Sequence, residues 1–423
     1  MNLWRHGDFM KLWTAQSISM LGSQVTILAL PLAAVLLLDA SAFEVGLLTA
    51  FGYLPFLLVG LPAGVWVDRM RRRPVLILTD LGRAAILLLV PVLWWIDLLS
   101  IEILYPITFA VGVLTVFFDI AQQSYLPSIV DRNQLSDGNA KLEISYSGAQ
   151  LAGPAVAGGL VQILTAPVAI LVDAVSYLCS AVSLLLIRHR EPAPERAAAE
   201  ASLVSEIRVG LRFVLRHPLL RPIAVTTGVG NLFDLFGMVA AVLVLFAVRD
   251  LDMTPAALGI ALAIANVGAL VGAVVNSALV RRIGVGPAIA LSSVVPGLAV
   301  LMLPLATPAT AIAVIGGALC LCGFAIAVYN INQISLRQAV TPERLQGRMN
   351  ATMRFLIWGT LPIGTVLGGV LGDWIGLRPT LVIAGVGSML ACLPLVLSPI
   401  RTLREVPVLD ETADLAKVSA DEH

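Results

Sequence analysis

The stretch Gly64-Val65-Trp66-Val67-Asp68-Arg69-Met70-Arg71-Arg72-Arg73 places five charges within six residues, between two long apolar runs. The run that ends at Asp68 and the run that departs from Pro74 are each long enough to cross a bilayer, which takes about 20 residues in a helix. The stretch is therefore a short basic hairpin between two membrane-spanning segments.

The composition supports the same interpretation over the whole chain. Of 423 residues, 58% are hydrophobic and only 13% are charged, whereas soluble domains carry roughly 25% charged residues. A soluble core cannot absorb this apolar excess, but lipid can. The net charge is zero, so no overall field indicates a nucleic-acid partner.

Twelve apolar runs of spanning length follow one another, and we predict an all-α membrane protein because lipid leaves backbone groups no other partners. The runs cover residues 11–38, 44–67, 75–96, 102–125, 142–164, 167–187, 222–248, 255–280, 285–305, 309–334, 350–372 and 379–399. The stretch Met1–Lys11 lacks the pattern of a cleavable signal peptide, so the first run is expected to remain as a span.

The placement of basic residues predicts the orientation. With the Gly64–Arg73 hairpin inside the cell, 25 of the 27 Lys and Arg residues fall on the cytoplasmic side, and only Arg249 and Arg378 fall outside. Cytoplasmic loops carry such an excess. We expect a multi-pass protein of the inner membrane with both termini in the cytoplasm.

The longest connection divides the chain into two halves. We predict a first six-helix half at 1–188, a cytoplasmic linker at 189–221, a second half at 222–400 and a tail at 401–423. Within the linker, Glu191–Ala201 reads as flexible, and Ser202–Arg216 as an amphipathic helix that lies on the membrane surface or in solvent. The polar sequence from Asp410 onward is expected to be disordered.

An internal repeat relates the halves. Leu151–Gly159 returns as Leu361–Gly369 at an offset of 210, and Val45-Gly46 matches Leu258-Gly259 at an offset of 213. Such parallel repeats, related by an axis along the membrane normal, are an architecture of secondary transporters.

The sequence lacks the residues that phosphate binding, metal binding and triad catalysis would require. None of the three lysines follows a glycine, so the sequence has no phosphate-binding P-loop. All four histidines lie outside the predicted spans, and the four cysteines lie inside apolar runs, which argues against a metal site or a catalytic triad. We therefore expect neither an enzyme nor a cofactor, and no ATP-driven step within this chain.

The hairpin has the pattern Gly-x-x-x-Asp-Arg-x-x-Arg-Arg, which resembles the signature loop between the second and third helices of major facilitator superfamily transporters. The family usually has glycine at the position of Arg71. The resemblance implies a latch at the cytoplasmic ends of helices that closes the inside of the outward-facing state. Its candidate residues are Gly64, Asp68, Arg69, Arg72, Arg73, Asp80, Arg83 and Asp119. Alternatively, Arg71–Arg73 contact lipid phosphates, and Asp80 pairs with Arg83.

Ionisable residues inside spans are functional candidates because their insertion is costly. Asp234 lies about 12 residues past Pro222, roughly 18 Å along the seventh helix and near mid-depth. The resemblance places the first and seventh helices beside a central cavity, where Asp234 would exchange substrate for protons. Alternatively, it makes a fixed interhelical hydrogen bond. The expected polar neighbours are Gln24, Asn231, Ser17, Asn266 and Asn330, of which the asparagines of later helices could instead bridge helices.

The fifth helix resembles the antiporter motif of the superfamily. Its residues are Gly148, Gly153, Pro154, Gly158 and Gly159, with Ala157 where the first glycine of a pair is usual. Small residues let helices approach closely; the alternative is generic packing, also considered for Gly60-x-x-x-Gly64 and Gly268-x-x-x-Gly272.

Three stretches, Leu12–Ser23, Leu126–Val130 and Gly210–Arg221, are most similar to the bacterial macrolide-efflux and enterobactin-exporter branch of the superfamily. The resemblance implies proton-coupled export of a small organic molecule by alternating access, by a monomer in the bilayer without nucleic acid. A siderophore or metabolite exporter, an importer and a non-transporting sensor are the alternatives. The lack of basic residues at mid-depth disfavours a small anionic substrate.

Overall fold

The computed structural model describes residues 3–131, 134–189, 191 and 203–405. Within these ranges the chain is helical and contains no strand, as expected. The predicted flexible link beyond Glu191 and the predicted tail from Asp410 lie outside the described residues.

The helices run back and forth across the bundle. In chain order they are α1 (Gly7–Leu37), α2 (Ala42–Leu58), α3 (Gly60–Asp68), α4 (Arg72–Trp95), α5 (Ile101–Ile129), α6 (Leu135–Leu164), α7 (Ala166–Leu185), α8 (Leu203–Arg216), α9 (Leu220–Phe233), α10 (Met238–Leu245), α11 (Pro255–Ile283), α12 (Val285–Met302), α13 (Ala311–Ala339), α14 (Glu343–Gly359), α15 (Leu361–Ile375), α16 (Leu377–Ala391) and α17 (Leu393–Val396).

In the described part of the chain, twelve crossings are formed when α2–α3, α9–α10, α14–α15 and α16–α17 are each taken as one and the linker helix α8 is left out. Ten of these crossings, among the residues that the structure describes, are long and apolar enough to span a membrane by length and composition. The interrupted α2–α3 and the more polar α6 complete the set. Large apolar side chains cover the outside, such as Trp95 at 84% and Ile163 at 80% exposure, which is suited to lipid and not to water.

Four crossings predicted as continuous are interrupted in the described residues. The second breaks at Val59, the seventh between Phe233 and Met238, the eleventh at Thr360 and the twelfth at Cys392. In the eleventh, Pro362 in the first turn of α15 has no N–H to donate to the preceding turn.

We call the face that holds the start of α1 and the α3–α4 turn the basic face. Here Lys11 donates to the Leu186 carbonyl oxygen at 2.8 Å, and Arg73 donates to those of Leu184 and Leu185. The other end of the bundle is the opposite face.

The two six-crossing halves meet along two seams, α2 with α15 and α6 with α11. A Cβ atom at Gly46 would stand 2.4 Å from the Thr365 carbonyl oxygen, and one at Gly259 would stand 2.3 Å from that of Pro154. Gly46 and Gly259 are the repeat-related glycines of the sequence. The two seams are therefore formed by equivalent glycines in the two halves.

Polar contacts add to the seams near the opposite face. The Asp373 carboxylate accepts hydrogen bonds from the backbone N–H groups of Ala42 and Phe43 at 2.8 and 3.1 Å, where the start of α2 favours an anion. Arg249 forms an ion pair with Asp39 at 2.6 Å.

Among the described residues, the apolar core joins the two halves toward the opposite face. One buried cluster includes residues of both halves, for example Val35 and Met238. Near the basic face there are two separate clusters, one confined to Leu3–Ile187 and the other to Val214–Ile400. The bundle is therefore closed toward the opposite face and parted toward the basic face.

The linker helix α8 packs on protein. Val214 is fully buried, and a Cβ at Gly210 would stand 2.3 Å from the Thr352 hydroxyl oxygen of α14. At Gly210 and Val214 the helix therefore contacts protein, and its placement on the lipid surface or in solvent stays a prediction for the rest of its surface. The arginine ridge Arg208, Arg212 and Arg216 remains exposed.

Candidate functional site

A cavity of about 1150 Å³ separates the two halves. Its wall includes Pro31 of α1 and reaches Gln122 of α5 and Asn350 of α14, which lie close to the basic face. A second cavity of about 580 Å³ shares Asp119 and Tyr146 with the first and continues toward that face. The central cavity is thus accessible from the basic face, and it is large enough for a drug-sized molecule.

Asp234 lies in the wall of this cavity at the break between α9 and α10. Its Oδ1 atom accepts a hydrogen bond from the backbone N–H of Phe236 at 2.9 Å. A Cβ at Gly237 would stand 2.1 Å from the Asn231 carbonyl oxygen, so this backbone conformation requires glycine. Interrupted helices with irregular backbone facing a cavity commonly form the binding sites of secondary transporters.

Asp234 has no ion-pair partner among the described residues. The interhelical hydrogen bond that was the alternative role is also not formed by its side chain, whose bond to Phe236 is local. The carboxylate is therefore available to a ligand or a proton.

The predicted polar neighbours of Asp234 divide into two groups. Gln24, Asn231 and Asn330 line the cavity, and the Asn231 amide also donates to the Ile357 carbonyl oxygen at 3.0 Å. Asn266 instead bridges the α6–α11 seam by donating to the Gln150 carbonyl oxygen at 2.7 Å. The hydroxyl oxygen of Ser17 is buried without a partner and is not in the cavity wall.

Asp80 and Arg83, which were predicted to belong to the latch, lie in the middle of α4. They form a buried ion pair, and Ser180 of α7 donates to the free Asp80 oxygen at 2.6 Å. The Arg83 guanidinium lies 4.2 Å and 4.1 Å from the ring centres of Phe118 and Tyr177. Because Arg83 lines the cavity, the expectation that no basic residue occurs at mid-depth is wrong.

Asp119 and Asp173 also line the cavity. Asp173 is fully buried and accepts hydrogen bonds from the hydroxyls of Thr26 and Ser176. The charge of Asp119 interacts with those of Arg83 and Arg354, on the two sides of the cavity. Asp119 therefore belongs to the cavity wall and not to the hairpin.

The hairpin arginines contact their own half. Glu191 forms an ion pair with Arg72 at 3.5 Å and accepts from the Arg73 backbone N–H at 3.2 Å. Arg69 is exposed, and a Cβ at Gly64 would meet no atom within 4 Å. The side chain of Asp68 lies outside the described residues. The predicted latch remains a prediction for a state closed at the basic face.

Only some glycines of the α6 motif make close contacts with neighbouring helices. A Cβ at Gly158 would stand 2.2 Å from the Pro255 carbonyl oxygen of α11, and one at Gly153 would stand 2.5 Å from Gln24. At Gly148 and Gly159 it would meet nothing within 4 Å. Pro154 contributes its carbonyl oxygen to the seam with Gly259.

The other two glycine pairs also differ. Gly268 and Gly272 pack against the backbone of α13, where added Cβ atoms would stand 1.9 and 2.5 Å from carbonyl oxygens. Gly60 and Gly64 make no such approach. Of these two pairs, Gly268 and Gly272 therefore form a close helix contact, and Gly60 and Gly64 do not.

Sequence reasoning missed Arg337 and Arg354, which line the cavity. The predicted span ended at residue 334, but α13 continues to Ala339 and carries Arg337 into the wall. Asn350, Arg354 and Trp358 recur every four residues and share one face of α14, a spacing that could have indicated a polar cavity wall.

The comparisons with known proteins agree with this architecture. A family model described as transmembrane secretion effector matches residues 2–417. The multidrug efflux pump Tap of Mycolicibacterium fortuitum is 27% identical over 373 residues, covering 85% of this chain and 88% of that protein. Macrolide efflux protein A of Streptococcus pyogenes is 21% identical, with coverages of 94% and 97%.

Among solved structures, the nucleoside transporter NupG matches with a TM-score of 0.76 at 10% identity, covering 94% of this chain and 99% of that one. This likeness shows the fold alone. The predicted resemblance to macrolide-efflux transporters is confirmed by the family model and by the relatives. The chain belongs to the transmembrane secretion effector family of the major facilitator superfamily.

Proposed function

We propose that this transporter exports a small, largely apolar organic molecule from the cytoplasm in exchange for protons. The observation that carries the proposal is a central cavity between the halves with a carboxylate, Asp234, at a helix break in its wall. The efflux names of the relatives Tap and macrolide efflux protein A support the same direction.

The proposed orientation places the basic face in the cytoplasm. Lys and Arg concentrate on the cytoplasmic side of membrane proteins, and the hairpin Arg69–Arg73 lies at this face. The cavity would then be open to the cytoplasm, in a state ready to receive a molecule for export. Both termini would be cytoplasmic, and the energy would come from the proton gradient without a bound cofactor.

Exchange would follow from competition at Asp234. A carboxylate in a cavity that closes around an apolar molecule loses water, and the loss disfavours its charged form. Substrate entry from the cytoplasm would displace the proton of Asp234, and substrate release outside would allow protonation from there. The break at Asp234–Gly237 lets the backbone adjust without disturbing a continuous helical hydrogen-bond ladder.

Alternating access would use the two seams as the parts that open. Both are made by close glycine contacts near the opposite face, at Gly46 and Gly259, and the cores near the basic face are already separate. Rocking the halves about the central cavity would part the seams and join the two basic-face clusters.

The test uses Asp234→Asn in proteoliposomes that contain a pH-sensitive dye. The Asn side chain keeps an oxygen that can accept from the Phe236 N–H, so the helix break is preserved and only proton exchange is removed. A panel of macrolides, lipophilic dyes and iron chelators is added, and substrate-triggered proton movement is recorded. We expect a response in the wild type and at least a tenfold weaker one in Asp234→Asn, as for loss of a proton-transfer group.

Asp97→Asn is the matched control, because Asp97 is exposed in the α4–α5 turn. It should respond as the wild type does. Equal proton coupling in Asp234→Asn and wild type would remove Asp234 from the mechanism, and silence of the wild type across the whole panel would contradict efflux of this substrate class.

A further inference from the structure

Arg337 is a buried cation in the wall of the central cavity. It lies in the last turn of α13, and only 7% of its surface is exposed. Its two terminal nitrogens donate to the side-chain oxygens of Gln333 at 3.0 Å and Asn350 at 3.1 Å. Both acceptors are neutral amides, so they orient the guanidinium and leave its charge uncompensated.

The third nitrogen, Nε, is buried without any hydrogen-bond partner. Within the described part of the chain, every ion pair involves other residues. The Arg83 guanidinium at the same cavity shows the contrast, because it is paired with Asp80. A buried charge without a counter-charge is costly, and the end of the α13 dipole supplies only about half a charge. Arg337 is thus positioned to bind an anion that enters the cavity.

The same wall of the cavity holds a second cation, Arg354. Arg354 follows Asn350 by one turn of α14, lines the same cavity and is exposed. Its guanidinium lies 5.8 Å from the ring centre of Trp358. Its charge acts on Asp119 of the other half, and no described residue forms an ion pair with it. Asn350 therefore lies between two arginines on one wall.

We propose that Arg337, Asn350 and Arg354 bind an acidic group of the exported molecule, such as a carboxylate, phosphate or sulfonate. A guanidinium presents a planar set of donors that matches such groups in pairs, and the apolar remainder of the cavity would hold the rest of the molecule. The proposal rests on the proposed function, since it takes the cavity to be the substrate site. It narrows the substrate class to amphiphilic anions.

The test compares two xanthene dyes of similar size and opposite charge, anionic fluorescein and cationic rhodamine 6G. Binding to the purified full-length protein in neutral detergent is measured by fluorescence anisotropy. We expect the wild type to bind fluorescein more tightly than rhodamine 6G. Arg337→Gln should weaken fluorescein binding by about tenfold or more, the usual loss for a hydrogen bond to a charged group, and Arg354→Gln by several-fold.

Arg282→Gln, at an exposed site on the basic face, is the control and should bind as the wild type does. Thermal unfolding distinguishes an anion-binding role of Arg337 from a purely structural role, in which its hydrogen bonds hold α13 to α14. Loss of an uncompensated buried cation should leave the midpoint of the ligand-free protein unchanged or higher, whereas loss of a structural tie would lower it. Fluorescein should raise the midpoint of the wild type and not that of Arg337→Gln.

Equal fluorescein affinity in the wild type, Arg337→Gln and Arg354→Gln would overturn the proposal, and so would a wild-type preference for rhodamine 6G. Because Arg354 is exposed, its variant tests the idea even if Arg337→Gln folds poorly. The binding assay needs no gradient and no transport direction. Intact fluorescein binding without proton-coupled export would therefore overturn the proposed function and leave the anion site standing.

Discussion

In the proposed alternating-access cycle, substitution of Gly158 by alanine should shift the balance between the inward-open and outward-open states. The new Cβ would stand 2.2 Å from the Pro255 carbonyl oxygen and 3.0 Å from its carbonyl carbon, about 1.3 Å short of an ordinary contact near 3.5 Å. Both atoms are backbone, so α6 and α11 must separate. Overpacking of this kind costs about 1–3 kcal/mol.

This cost applies only while the seam is closed. If the seam parts when the opposite face opens, the substitution disfavours the present state and favours the outward-open one. A change of about 1–3 kcal/mol alters the ratio of the two populations by about 5- to 150-fold. Alanine also stabilises a helix interior by about 0.8–1.0 kcal/mol relative to glycine, in both states alike.

Distances between spin labels measure this shift directly. Labels on cysteines introduced at Leu98 and Leu305, both exposed at the opposite face in different halves, report on the opening of that face. The background replaces the four native cysteines, which are all free, with alanine. We expect the Gly158→Ala distribution to gain a longer-distance component that is minor in the parent protein.

Gly159→Ala is the matched control. It makes the same chemical change one residue along α6, where a Cβ meets nothing within 4 Å. Its distance distribution should match that of the parent. The same distribution in both alanine variants would refute the reasoning that this seam controls access.

Two further substitutions test other parts of the structure. Asp80→Asn leaves Arg83 buried without its carboxylate, which should cost about 3–5 kcal/mol; a lower thermal midpoint in detergent is expected, and a wild-type midpoint would contradict the buried pair. Gly210→Val would place Cβ 2.3 Å from the Thr352 hydroxyl oxygen and 2.8 Å from the Arg348 carbonyl oxygen, displacing α8 from α14. Faster tryptic cleavage within α8 is expected, while the exposed neighbour variant Val209→Ala should be cleaved as the wild type is, and equal rates in the two would argue against the docking.

The sequence by itself determined the spans, their number and the repeat. Hydropathy is a local property, and a bilayer requires every crossing to satisfy its own backbone, so about 20 apolar residues in a row are sufficient to indicate a helix. The relation of Gly46 to Gly259 was also visible at a fixed offset. The tertiary structure then shows that each of these two glycines makes the close contact in one of the two seams.

The depth of Asp234 could be predicted, but the helix break beside it could not. The break depends on Gly237 and on Gly364 of α15, where a Cβ would stand 2.4 Å from the Leu232 carbonyl oxygen. These residues lie more than 120 positions apart in the sequence, and only their packing shows that the backbone of the seventh crossing must be irregular there.

Only the tertiary structure decided which member of a motif carries its role. Gly158 and Gly159 are identical and adjacent in the sequence, but they lie about 100° apart around α6, so one faces α11 and the other does not. Likewise, Arg83 lies in the cavity wall and is paired with the buried Asp80, and Arg337 is a cavity residue because α13 continues beyond its apolar run. The physical reason is that a side chain acquires its role from the neighbours on its side of the helix, and those neighbours come from distant parts of the chain.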